Sequence, residues 1–129
     1  LTDRVENAGF DRADHMLLYH INIGFPAVDE GSELLAPSRT ITPRDDAAAA
    51  GAEHACRLDA PIPGYHEKAY FHDLRADGAG NTGTAIVNRR LGFGVYVRFN
   101  LKELPCYTQW KMMGQRNYVV GMEPANCLP

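Results

Sequence analysis

The sequence predicts an all-β protein, an antiparallel β-sandwich with one short inserted helix. Three observations carry that expectation. Apolar runs with two-residue alternation recur about every 8–12 residues, the spacing of sandwich strands. Turn-forming groups such as Arg89–Gly92 and Gly114–Arg116 separate them. Only one stretch, Thr42 to Ala55, carries helix start and stop signals.

The elements follow in chain order. Residues 1–7 alternate Leu1, Asp3 and Val5 against Thr2 and Arg4, a strand pattern. His15 to Ile23 forms a second, strongly apolar run, and Glu33 to Pro37 a short one that the proline ends. Thr42 is placed as a helix N-cap, with Pro43 at the first helical position, acids in the first turn and Gly51 after the alanines. Lys68 to Arg75 resumes the strand pattern after the turn-prone stretch Ala60–Tyr65. Thr82–Asn88 and Phe93–Asn100 make a hairpin across Arg89–Gly92, and Tyr107–Met113 pairs with Asn117–Glu123 across Gly114–Arg116.

Composition narrows the function. The 129 residues are 45% hydrophobic and 22% charged, a foldable globular chain of one domain. Net charge is −3 and the 13 Lys and Arg are scattered, which argues against a nucleic-acid partner. Cys56, Cys106 and Cys127 show no CxxC spacing. Reduced thiols in a cytoplasmic protein are expected, with no structural metal. No apolar run approaches the roughly 18 residues of a membrane span, so no membrane partner is expected. The chain opens on Leu1 and stops at Pro129 without a closing element. Residues 1–129 therefore read as a single partial domain, truncated at both ends.

Strand alternation sorts the polar residues by face. His20 and Asn22 interrupt an apolar run and point the same way. That suits a polar lining with Gly24 leaving room beside it, as well as two core groups bonded to backbone. Glu123 ends its strand before Pro124, which holds it extended. Gln109 and Lys111 share one face of their strand, Lys111 read as exposed, while Trp110 on the other face reads as core. His66 and His72 share a face, Glu67 the other, and no HxH pair supports a cupin-like metal set.

The blocks YHINIGFP, GYHEKAY, QWKMMG and GMEPAN resemble aldose 1-epimerase-like proteins of the galactose mutarotase superfamily, and within it a bacterial branch of unknown function. The resemblance runs in order over nearly the whole chain and covers the central and later part of those longer proteins. It implies a partial β-supersandwich, a small-molecule sugar as ligand, and no cofactor. It also implies roles: His20 and Glu123 as the catalytic acid and base, and Asn22, Glu67, His72, Gln109 and Lys111 as sugar-binding residues. Glu67 stands where mutarotases have Asp, and the family's second histidine belongs to an N-terminal half that has no counterpart here. The implied function is anomer interconversion by general acid–base catalysis. The alternative is a non-catalytic carbohydrate-binding domain of the same fold, since fold alone does not fix function. The two differ in whether His20 and Glu123 converge on one face.

Overall fold

The computed structural model describes residues 2–129. Two antiparallel sheets pack face to face, as the sequence predicts. In chain order the strands are β1 (Ile21–Ile23), β2 (Glu33–Leu35), β3 (Ser38–Pro43), β4 (Lys68–Leu74), β5 (Asn81–Asn88), β6 (Phe93–Asn100), β7 (Cys106–Met113) and β8 (Tyr118–Ala125). Helix α1 (Asp46–Ala49) and a 3-10 turn (Ala52–His54) lie between β3 and β4. The larger sheet has the order β1-β8-β7-β4-β3 and the smaller one β2-β5-β6.

The core sits between the sheets. Leu74, Tyr107, Met113, Val120 and Met122 from the larger sheet meet Leu34 and Ile86 from the smaller, with Val28 and Leu58 from connecting segments. Each of these strand residues obeys the two-residue period, so one face of β4, β7 and β8 is committed to the core. Ala48, Ala55 and Tyr70 form a second cluster where α1 and the 3-10 turn cover the far end of that same inner face. Tyr70 donates its hydroxyl to Ala48 O at 3.1 Å, tying the helix to β4. The other face of the larger sheet is left uncovered by the smaller one.

Four sequence expectations are corrected. Residues 2–7 form no strand and are exposed, having no ladder partner to satisfy their backbone. The run from His15 shortens to β1 at Ile21–Ile23. Its earlier part meets β8 by an isolated bridge, Leu18 to Ala125, and by Tyr19 N–H donating to Pro124 O at 3.0 Å. Pro124 has no N–H to return that bond, which breaks the ladder beside His20. The helix starts later than expected. Asp45, not Thr42, is the N-cap, its carboxylate accepting from Ala48 N–H at 2.9 Å. Thr42 and Pro43 instead end β3, an edge strand the sequence pattern did not reveal. An edge tolerates proline because one of its sides needs no donor.

Candidate functional site

The outer face of the larger sheet collects the polar side chains. Register decides this. Thr108 lies opposite Glu123, Trp110 opposite Gly121, and Asn22 opposite Gly121 from the other side. Phe71 faces Thr108 and Ala69 faces Trp110 across β4. Paired residues share a face, so His20, Asn22, Glu67, Thr108, Trp110 and Glu123 all project outward.

His20 and Glu123 meet there. His20 Nε2 stands 3.1 Å from Glu123 Oε1, the histidine side chain 49% exposed and the glutamate 5%. Glu123 Oε1 has no hydrogen-bond partner among the described residues, so the approach is a close contact rather than an aligned hydrogen bond. Burial raises the Glu123 carboxyl above its ordinary value; His20 and Arg44 oppose that shift and Glu67 adds to it. Burial prevails over the opposing charges.

Trp110 stands next to this pair. Its ring meets the His20 ring edge-on, with centroids 5.7 Å apart and planes at 67°. The indole N–H donates to Glu67 Oε2 at 2.8 Å, and Arg44 donates to Glu67 Oε1 at 3.0 Å and to Asp45 at 2.9 Å. The Trp110 bond, then the Arg44 bond, holds the Glu67 carboxyl below its ordinary value. The result is a continuous run Glu123–His20–Trp110–Glu67–Arg44–Asp45 across the sheet. Glu67 thus orients Trp110 with one oxygen and engages Arg44 with the other.

Two small features make room. A Cβ at Gly121 would collide with Glu123 Oε1 and lie 3.1 Å from Trp110 Cβ. Asn126, just past β8, accepts from Leu17 N–H through Oδ1 at 2.7 Å and donates through Nδ2 to His15 O at 2.9 Å. It fastens the segment that carries His20 to the strand that carries Glu123.

The remaining three sequence candidates do not reach this face. His72, Gln109 and Lys111 point inward, as alternation requires once Trp110 and Glu123 point out. Gln109 donates to Ala55 O at 2.8 Å, and its Oε1 meets His72 Nε2 at 3.1 Å. The amide is therefore the acceptor there and His72 carries its proton on Nε2, leaving Nδ1 to accept from Ser38 Oγ at 2.8 Å. Burial lowers the His72 pKa, and the bond to Gln109 opposes that shift. Lys111, expected to be exposed, is buried. Its ammonium donates to His54 O at 3.0 Å, Arg57 O at 2.5 Å and Asp59 Oδ2 at 3.3 Å. Burial lowers its pKa and Asp59 opposes the shift. These three residues stitch the helical segment and the loop after it to the inner face. The metal set His66, Glu67 and His72 does not converge, because Glu67 and His72 lie on opposite faces.

Sequence reasoning passed over Thr108, Arg44 and Gly121, and placed Trp110 in the core. Trp110 is half-buried on the outer face. The signal was present: Trp110 shares a face with Thr108 in the same alternation that singled out Gln109 and Lys111. What was missing was which face packs against the second sheet. A cleft of about 500 Å³ beside Tyr19, Phe99 and Pro124, and another of about 590 Å³ beside Leu34 and Tyr96, contain neither His20 nor Glu123. The site is a sheet face.

Comparison with known proteins gives two matches. A family model described as "Domain of unknown function (DUF4432)" matches residues 1–129. A crystal structure at 1.90 Å from Klebsiella pneumoniae subsp. pneumoniae MGH 78578, described as a "putative aldose 1-epimerase", superposes with a TM-score of 0.84 at 30% identity. The match covers 88% of this chain and 30% of that one. The chain thus spans under a third of that protein's length and shares its mutarotase-like fold. No curated protein matches. Among the described residues, no helix is long and apolar enough to cross a membrane.

Proposed function

The chain belongs to the family described as Domain of unknown function (DUF4432), and we propose that it is the part of a longer, carbohydrate-binding aldose 1-epimerase-like protein that carries an acid–base pair for interconverting sugar anomers. The observation that carries this reading is the convergence of His20 and Glu123 at 3.1 Å on the outer sheet face, beside an oriented tryptophan. A pure binding surface has no need of a buried carboxylate and a histidine aimed at one point.

The chemistry is as follows. Glu123 takes the proton from the C1 hydroxyl while His20 protonates the ring oxygen, and the C1–O bond to the ring breaks. The open aldehyde rotates about C1–C2, and the ring recloses on the other face with the proton transfers reversed. Both oxygens are bonded to the same carbon, so an acid and a base that touch each other suit the reaction. Each positioned group is worth about 10²–10⁴-fold. Trp110 and Phe71 offer apolar surface to the sugar ring, and Asn22 offers an amide to a hydroxyl. Arg44 is already engaged by two carboxylates, which favours a neutral sugar over a sugar acid.

The test is anomer exchange by NMR saturation transfer in the full-length protein, across a panel of aldoses and sugar acids, with Glu123→Gln as control. Exchange accelerated by the wild type and lost in the variant supports the reading. Sugars that bind without accelerated exchange would reduce the protein to a binding module.

A further inference from the structure

Thr108 lies directly across from Glu123 on the outer face. The two residues are 2% and 4% exposed. Thr108 Oγ1 and Glu123 Oε1 are sealed from solvent and have no hydrogen-bond partner among the described residues. A buried polar atom left unpaired is costly and uncommon, and two that face each other across a ladder form one feature rather than two. They are not bonded to each other, although opposite residues on one face stand only about 4.5–5.5 Å apart at Cβ. That separation puts the two side chains within reach of a hydroxyl–carboxylate bond. In the structure Glu123 Oε1 is instead 3.1 Å from His20.

We infer that Thr108 is a positioning residue for Glu123, its hydroxyl donating to the carboxylate when His20 turns away to a sugar; the inference rests on the acid–base reading above. His20, with half its side chain in solvent, is free to turn outward, and the sealed Glu123 is not free to follow. A buried carboxylate that loses its partner must either find a donor or take up a proton, and a proton taken up would end its use as a base. The other groups that act on Glu123 are poor substitutes. Arg44, from beyond β3, is held by Asp45 and Glu67, and Glu67, from before β4, carries the same charge as Glu123. Tyr107, on the inner face of β7, pairs with Thr84 instead. Thr108 is the donor directly opposite Glu123 on β7.

Thr108→Val removes the hydroxyl at nearly constant shape, and Thr108→Ser restores it. Anomer exchange is measured against pH for both variants and wild type in the full-length protein. The acid limb of kcat, which reports the sugar complex, should rise by about one pH unit in Thr108→Val, while the limb of kcat/KM, which reports the free enzyme, stays in place. Thr108→Ser should keep both wild-type limbs. The Tm of Thr108→Val should be unchanged or higher, because the hydroxyl is unpartnered in the free protein. An unmoved kcat limb overturns the inference, as does a Tm that falls in Thr108→Val and recovers in Thr108→Ser; either leaves the acid–base reading standing if wild-type exchange is accelerated. Wild type that accelerates no exchange overturns both.

Discussion

Gly121 and Glu123, two residues apart on β8, are sterically linked: the carboxylate of Glu123 occupies the space that any side chain at Gly121 would fill. Trp110, opposite Gly121 on β7, closes the same space from the other side at 3.1 Å from that Cβ position. The glycine is therefore what allows a buried acid and a large aromatic ring to share one patch of sheet.

Gly121→Ala should displace Glu123 or Trp110 rather than unfold the chain. Overpacking of this kind costs about 1–3 kcal/mol. Misplacing a catalytic group by about 1 Å can cost on the order of 10²-fold in rate. A large loss of exchange with a small loss of Tm is expected. An alanine variant with wild-type exchange would show that the carboxylate position is immaterial.

Glu123→Gln should make the protein more stable at neutral pH. Burial raises the folded-state pKa of Glu123 above its ordinary 4.5. The stabilisation from its protonated form is thus fully present below about 4.5 and is lost as pH rises through the raised value. Glutamine carries no such penalty. Denaturation across pH should show the variant's advantage at pH 7 and its disappearance below the ordinary carboxyl range. Equal stability at all pH values would contradict a raised carboxyl.

His20→Asn should lower exchange by about 10²–10⁴-fold with little change in Tm. Its side chain is half exposed and contributes little burial. Unchanged turnover would remove His20 from the mechanism.

Lys111→Met tests the division between the two faces. It leaves His54 O, Arg57 O and Asp59 without their shared donor, and should destabilise by about 2–4 kcal/mol. The lower part of that range fits an Asp59 side chain that is itself 41% exposed. Sugar affinity of the folded fraction should not change. A selective loss of affinity at constant Tm would return Lys111 to the sugar site.

Asn126→Ala should loosen the segment that carries His20. Two side-chain hydrogen bonds are lost, each worth about 0.5–1.5 kcal/mol, and exchange should fall more than sugar affinity. An intact rate would mean that β1 alone positions the histidine.

Much was legible from alternation alone. The β-strands from Lys68 onward, both later hairpins and the shared outlook of His20 with Asn22 follow from a period of two. The inward placement of His72, Gln109 and Lys111 was not legible, for the same reason in reverse. Alternation says which residues share a face and is silent on which face packs inward. The first residues read as a strand because they alternate, yet a strand also needs a partner ladder. Thr42 and Pro43 read as a helix start because Thr suits an N-cap and Pro the first helical position, yet in the fold the Asp45 carboxylate, three residues on, caps the helix.

The all-β sandwich and the co-facing of polar residues within each strand are written in the two-residue period of the extended chain, and the one short helix in its end signals. The tertiary structure decided which face became core, which brought Glu123, His20, Trp110 and Thr108 together and turned Gln109, Lys111 and His72 inward. That choice depends on strand order and register between residues about a hundred positions apart, and no local pattern encodes it.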